Sequence, residues 1–476
     1  MTDPFVVIGG DAAGLSAASK CRRETPTRDV VVFEQGSWVS YAHCGTPYFI
    51  KGDVEHLSDL QSLSPGDIEE RGIDLRRNHE VTTIDTESSA LMVSDGTKSF
   101  EYPYEELLIA TGARAVSAPI EGADLDTVFT LHGLPDATAL RSFLTPPAEF
   151  DSTELGGGSA LNVSIAEQYG AIQPPETIAI VGGGYVGVEM AEAFSAWDCK
   201  VHLFQRSERL LPAFGTAVGD AIVSALESAG VIVHLNEAVD RLSETDGRLD
   251  NIVYEDGHTL DVDAVLIGIG IRPNIELLID TPVDLGTTGA VATDEYGETN
   301  VENVYAAGDV AELEHMVTGE TTWSPLGLPA NRAGRAIGAT VGGSPTEVGH
   351  VAETAMLKAF ELGCGRAGIV NPDRAEAAGF DPVTKTITAG SRSGYYPGAK
   401  ETTVTLTADR KSGQLLGGSL VGADRAAVRI NTIATALGGE MSVQELEQQD
   451  LGYAPPFSPV WDPILVAAKV LSGELE

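Results

Sequence analysis

Ile178-Ala-Ile-Val-Gly-Gly-Gly-Tyr-Val-Gly187 is an apolar run that enters a glycine turn and leaves into a helix of small residues. Gly182, Gly184 and Gly187 complete a G-x-G-x-x-G pattern. A strand feeding a helix in this way aims free backbone N–H groups, and the positive end of the helix, at a pyrophosphate. About 170 residues earlier the chain does the same at Phe5-Val-Val-Ile-Gly-Gly-Asp-Ala-Ala-Gly14. Two such units in one chain predict two Rossmann-like dinucleotide-binding domains in an α/β fold.

The first turn keeps Gly9, Gly10 and Gly14 but puts Asp11 at the middle glycine position, where an acid beside a pyrophosphate is unexpected. Glu34 compensates: it ends the strand Val30–Phe33, where a carboxylate accepts hydrogen bonds from ribose hydroxyls. In the second unit the corresponding strand, Lys200–Phe204, ends at neutral Gln205, followed by Arg206 and then Arg209. Arginine pairs with a 2′-phosphate, so NADPH is favoured over NADH. Glu189 follows the second turn within its helix.

Composition bounds the rest. The 476 residues suit about three domains. Hydrophobic residues make up 43% and charged residues 21%, enough apolar side chain for large cores. The 30 cations, 21 Arg and nine Lys, face 70 carboxylates for a net charge of −40. This argues against nucleic acid or an anionic membrane surface as partner. An acidic, lysine-poor surface also predicts a halophilic protein, kept in solution where salt screens self-repulsion. No apolar run is long enough to span a membrane. The start, Met1 to Gly10, reads as mature protein without a signal peptide. Four scattered cysteines, Cys21, Cys44, Cys199 and Cys364, predict a reduced, cytoplasmic protein.

Along the chain, Leu107-Leu-Ile-Ala-Thr-Gly-Ala113 and Asn303-Val-Tyr-Ala-Ala-Gly-Asp309 read as further strands, and Val265–Asn274 closes the second unit. The segment 146–175, with Gly156-Gly-Gly-Ser and flanking prolines, reads as a flexible acidic insertion. From about His350 the pattern changes to alternating strands, such as 402–407 and 415–421. A helix from Arg425 to Leu437 follows, giving a separate α+β domain.

Ser40-Tyr-Ala-His-Cys-Gly-Thr-Pro-Tyr48 carries a cysteine with no second cysteine near it. At the opening of a turn or helix, Cys44 is expected to have a lowered pKa and to react as a thiolate. Without an adjacent dithiol, its chemistry runs through a sulfenate or a mixed disulfide with a small thiol.

With these motifs in order and spacing, the chain resembles the pyridine nucleotide-disulfide oxidoreductases. Within them it resembles the single-cysteine branch of coenzyme A-disulfide reductases, persulfide reductases, and NADH oxidases and peroxidases. The resemblance implies a discontinuous FAD-binding domain (1–115 with 275–345), an NAD(P)-binding domain (116–274, with the insertion), and a C-terminal α+β dimerisation domain (346–476). It assigns to FAD the residues Gly9, Gly10, Asp11, Ala12, Ala13, Gly14, Glu34, Val81, Ala110, Thr111, Gly112, Gly308, Asp309 and Asn331. To NADPH or NADH it assigns Gly182, Gly184, Gly187, Glu189, Gln205 and Arg206. Coenzyme A contacts carry over to Ser16, Lys20, Arg23, Ser40 and His43. His43 stands where Asn is common, and Trp461 where some relatives have a basic residue.

Oxidases and peroxidases of this group carry a His inside the first glycine turn, where Ala12 stands here. Gly394-Tyr-Tyr-Pro-Gly398 and Tyr453-Ala-Pro-Pro-Phe457 instead resemble coenzyme A-disulfide reductases, in which one Tyr from each motif crosses the homodimer interface to the active cysteine. If that stretch is extended, Tyr395 and Tyr396 point oppositely and Tyr395 faces the site with Tyr453. No His follows His350, so the His-Glu pair of dithiol reductases is absent. The implied activity is NAD(P)H-dependent reduction of a small disulfide, foremost coenzyme A disulfide. Hydride from NADPH reaches the Cys44 mixed disulfide by way of FAD and releases the bound thiol. An NAD(P)H oxidase, a persulfide reductase and a non-catalytic redox-sensing flavoprotein are the alternatives.

Overall fold

A computed structural model describes residues 4–116, 119–245 and 248–475. Two five-stranded parallel sheets carry the two glycine turns. In the first, strands run in the order Val304–Ala306, Glu106–Ile109, Phe5–Ile8, Val30–Glu34, Asp74–Arg77. In the second the order is Ile232–Leu235, Lys200–Gln205, Thr177–Val181, Ala264–Ile267, Val128–Phe129. Apart from Thr177 the central strands are buried, as the unbroken Val/Ile runs demand of a sheet covered on both faces. Each glycine turn therefore opens at the carboxyl edge of a parallel sheet, where open α/β sheets bind ligands.

Close backbone packing holds the first turn. The helix Ala12–Glu24 lies on the helix Gly327–Val341 through Gly334 and Gly338. A Cβ at Gly334 would sit 2.1 Å from the Ala13 carbonyl oxygen, and one at Gly338 2.2 Å from that of Ala17. This contact brings residues 327–331 against the first turn from far along the chain.

An antiparallel five-stranded sheet forms the C-terminal part, in the order Ala355–Ala359, Leu362–Gly368, Leu415–Gly422, Glu401–Asp409, Pro382–Gly390. The helix expected from Arg425 begins later, as a 3-10 turn at Ala427–Arg429 continued by Ile430–Gly438. Arg425 itself has φ 56°, a left-handed conformation that helices do not continue through.

The segment 146–175 differs from the flexible insertion expected of it. It carries the helices Ser152–Leu155 and Ala160–Gly170, capped by Asp151 and Ser159. Asn162 is fully buried and donates to Thr138 Oγ1 at 2.7 Å, and Ala166 is buried in the same core. The glycines serve turns between packed helices. Gly157, at φ +55°, lies against the Trp38 ring.

A buried carboxylate ties three regions together. Glu192, on the helix Tyr185–Ser195, accepts from Lys51 Nζ at 3.0 Å, Lys358 Nζ at 2.5 Å and the Phe360 backbone N–H at 2.6 Å. These donors come from the helix after Cys44 and from the edge of the C-terminal sheet.

Candidate functional site

Both glycine turns open into one continuous cleft of about 2650 Å³. The first turn needs its glycines for separate reasons. Gly9 has φ +110°, and a Cβ there would strike the Ala110 carbonyl oxygen at 2.2 Å. At Gly14 a Cβ would meet the Gly9 carbonyl oxygen at 2.0 Å. Gly14 and Gly187 thus lie beneath their turns as packing positions and are not among the cleft-lining residues.

The remaining residues expected to hold FAD or the nicotinamide nucleotide line the cleft together. They are Gly9 to Ala13, Glu34, Val81, Ala110 to Gly112, Gly308, Asp309 and Asn331 in one half, and Gly182, Gly184, Glu189, Gln205 and Arg206 in the other. The two halves repeat one device. Glu34 Oε2 accepts the Gly10 backbone N–H at 2.9 Å, and Gln205 Oε1 accepts the Gly183 N–H at 3.0 Å. Each strand end thereby fixes its own glycine turn.

The arrangement fits dinucleotides. Nothing lies within 4 Å of a Cβ built on Gly184, so the cleft keeps open space against the second turn. Asp309 faces the cleft, and its carboxylate takes no hydrogen bond from any described residue. Burial raises its pKa, and His43 only partly offsets this. A group presenting hydroxyls would satisfy that carboxylate.

Asp11, out of place as a pyrophosphate residue, has a different partner. Its Oδ2 lies 3.1 Å from His43 Nε2, and its Oδ1 accepts the Tyr41 N–H at 3.2 Å. His43 Nδ1 faces the His132 carbonyl oxygen at 2.9 Å, and the ring packs on Tyr41 with centroids 4.3 Å apart. Burial opposes the imidazolium, but the hydrogen bond and charge of Asp11 outweigh it and the His43 pKa is raised. His132 goes the other way, pushed down to about 4 by burial and by His43.

Cys44 lies in a 3-10 turn, His43–Gly45, just before the six-residue helix Thr46–Lys51. It is the exposed one of the four cysteines and opens into the cleft. Its thiol pKa is raised, contrary to the expected depression. Burial contributes most, followed by the carboxylates of Glu189 and Asp309. The turn is too short to supply the expected dipole, and the charges that act on the thiol are those of these two carboxylates. Glu189 itself is pushed up to about 7 by burial, and Tyr48 Oη donates to its Oε1 at 3.3 Å.

The residues expected to hold coenzyme A divide. Ser16, Arg23, Ser40 and His43 line the cleft. Ser16 Oγ donates to Asn331 Oδ1 at 2.7 Å, and His43 is engaged as above. Lys20 does not line the cleft; it pairs with Glu24 one helical turn on. Four arginines, Arg23, Arg71, Arg332 and Arg335, line the cleft on this side. Arg71, which donates to Ser19 Oγ at 3.2 Å, escaped the sequence reading because no local pattern marks it.

Tyr395 and Tyr396 lie in a turn, not in an extended segment, so the opposed pointing of alternate residues does not apply. Tyr395 Oη and Tyr453 Oη are 3.3 Å apart, which brings the two tyrosine motifs together. Tyr396 instead packs near the Arg392 guanidinium, 5.9 Å from ring centroid to Cζ. Tyr395 is 77% exposed and Tyr453 47%, and none of the three lines the cleft of its own chain. Trp461 is exposed beneath Lys469 Nζ, 5.5 Å from the ring centroid.

The family model described as pyridine nucleotide-disulphide oxidoreductase matches residues 3–325, and the dimerisation domain of that family matches residues 355–463. The chain is 39% identical over 468 residues to the NAD(P)H sulfur oxidoreductase (CoA-dependent) of Pyrococcus abyssi, covering 98% of this chain and 97% of that protein. It is 38% identical over 473 residues to the NAD(P)H coenzyme A polysulfide/persulfide reductase of Pyrococcus horikoshii, covering 99% of each. Among solved structures it is similar to an NAD-dependent persulfide reductase from A. fulgidus, with a TM-score of 0.90 and 30% identity, covering 99% of this chain and 83% of that one.

Proposed function

The chain belongs to the pyridine nucleotide-disulphide oxidoreductases, and from that premise we propose that it reduces the sulfur–sulfur bond of a coenzyme A persulfide or polysulfide through Cys44. It is an NAD(P)H-dependent flavoprotein oxidoreductase of the class that acts on coenzyme A disulfide, persulfide or polysulfide. The observation that carries the proposal is the exposed, solitary Cys44 sulfur in a cleft shared by both glycine turns.

Bound FAD supplies the two-electron link between NAD(P)H and sulfur. The Cys44 thiolate attacks the coenzyme A-side sulfur of the persulfide. A Cys44–coenzyme A disulfide forms and hydrosulfide leaves. Two electrons from NAD(P)H then cleave that mixed disulfide and return the Cys44 thiolate and coenzyme A thiol. Arg23 and Arg71 are suited to the phosphates of coenzyme A, since guanidinium forks match phosphate oxygens and the rest of the chain is strongly acidic. Asp11 and His43 hold the segment before Cys44 against the first turn. Glu189 can hold a proton near neutral pH beside the sulfur. The paired Tyr395 and Tyr453 serve the partner's cleft in the homodimer, where a phenol can hydrogen-bond the departing sulfur.

Coenzyme A disulfide is the second reading, favoured by the tyrosine motifs. It forms the same mixed disulfide, with coenzyme A thiolate as the leaving group in place of hydrosulfide. The test supplies each substrate with NAD(P)H and assays both products. Hydrosulfide release from the persulfide, faster than thiol release from the disulfide, supports the proposal; the reverse order selects the second reading. Cys44→Ser should keep FAD and lose both activities. Undiminished turnover in that variant refutes the role of Cys44.

A further inference from the structure

The second glycine turn lacks a carboxylate at the end of its own second strand. Gln205 stands there, and its amide is already used. Oε1 accepts the Gly183 N–H at 3.0 Å, and Nε2 donates to Ser207 Oγ. The neighbouring strand, Ile232–Leu235, nevertheless brings an acid to the same place. Glu237 lies just beyond its end and lines the cleft beside Gln205 and Arg206, and its backbone N–H donates to the Gln205 carbonyl oxygen at 3.2 Å.

A chain of polar contacts runs from a buried histidine to this carboxylate. His202 is 4% exposed, and its Nε2 is buried without a partner. A ring nitrogen bearing hydrogen in that position would waste a donor, so the proton of the neutral ring belongs on Nδ1. His202 Nδ1 lies 3.0 Å from His234 Nε2, which must then accept. The His234 proton is left on Nδ1, which faces Glu237 Oε2 at 3.2 Å. The His234 ring is stacked on Phe204 at 4.2 Å and 5°, so its orientation is fixed. Burial lowers the pKa of both rings, His202 to about 4, in keeping with two neutral imidazoles.

We infer that Glu237, positioned by His234, is the residue that accepts the adenosine ribose hydroxyls of NADH, set against Arg206, which receives the 2′-phosphate of NADPH. The inference rests on the second turn holding the nicotinamide nucleotide. A carboxylate accepts from vicinal hydroxyls and repels a phosphate at the same carbon. Arg206 makes no ion pair with any described residue; nearby Arg209 is the one paired, with Glu208. The two side chains therefore present opposite charges to one end of the cleft, a means of admitting both nucleotides and setting the ratio between them.

Calorimetric titration of the FAD-loaded protein with NAD⁺ and NADP⁺ reads this without turnover. Glu237→Gln is expected to weaken NAD⁺ binding about tenfold, the scale of a hydrogen bond to a charged group, and to leave NADP⁺ unchanged or tighter. Arg206→Leu is expected to weaken NADP⁺ by a similar factor and spare NAD⁺. His234→Phe keeps the stack and releases the carboxylate, so it should move the NAD⁺/NADP⁺ ratio in the same direction as Glu237→Gln by a smaller factor. A Glu237→Gln ratio that does not move, or equal losses for both nucleotides, overturns the inference. Failure of the unaltered protein to bind either nucleotide overturns the assignment of the second turn itself, and the inference with it.

Discussion

His43 Nε2 lies 3.1 Å from Asp11 Oδ2, a contact that favours the imidazolium. Nδ1 of His43 faces a carbonyl oxygen, which can only accept, and Nε2 faces the Asp11 carboxylate at 3.1 Å, so both ring nitrogens meet acceptors. The acid that spoils the first glycine fingerprint is thus the anchor of the residue preceding Cys44.

That pairing makes stability depend on pH. The His43 pKa is raised above its ordinary 6.5, so the stabilisation is complete below that value and is lost as pH rises through the raised one. Asp11→Asn should remove this dependence. Urea unfolding at about pH 6 and about pH 9 is expected to show a larger loss of stability across the interval in the unaltered protein than in the variant. Parallel losses would show that the pair does not titrate in this window.

Glu189 and Cys44 oppose each other electrostatically. The Glu189 carboxylate is among the causes that raise the Cys44 thiol pKa. Glu189→Gln should lower it and speed alkylation of Cys44 by iodoacetamide about threefold to tenfold at pH 8, where more thiolate is then present. In the unaltered protein the alkylation rate should show an additional inflection near the Glu189 pKa of about 7. A single-step pH profile, identical in both proteins, would contradict the coupling.

Tyr395 and Tyr453 lie outside the cleft of their own chain, which makes their service to a partner testable by mixing subunits. Cys44→Ser homodimers should be inactive, and Tyr395→Phe/Tyr453→Phe homodimers impaired. A mixed dimer of the two rebuilds one complete site, so its activity should exceed that of either parent. No recovery on mixing would place the tyrosines in service of their own subunit.

Gly187 tests the second turn by shape alone. A Cβ there would lie 1.9 Å from the Gly182 carbonyl oxygen. Gly187→Ala should force the helix away from the strand at a cost of about 1–3 kcal/mol. Flavin absorbance should be retained while nucleotide titration shows weak binding; simultaneous loss of flavin would mean that the two halves do not fold independently at this point.

The two glycine turns were legible in the sequence because what they require is largely local: Gly14 and Gly187 are fixed by contacts with the backbone of their own turns. The strand ends Glu34 and Gln205 were legible for the same reason, since their spacing from the turn follows from one βαβ unit. Asp11–His43, Arg71–Ser19 and His202–His234 were not. The first two join side chains from separate elements, and the third depends on which strands become neighbours in the sheet. The segment 146–175 was misread because its Gly and Pro signal turns correctly but say nothing of Asn162 reaching Thr138. The alternation argument for Tyr395 and Tyr396 does not apply to a stretch that turns, although Tyr395 is the one that meets Tyr453.

Glu192 clamps the helix that follows Cys44, the helix of the second glycine turn and the edge of the C-terminal sheet. Shearing any of the three past the others would strand a buried negative charge. The spacing of the three elements is consequently tied to a single charge.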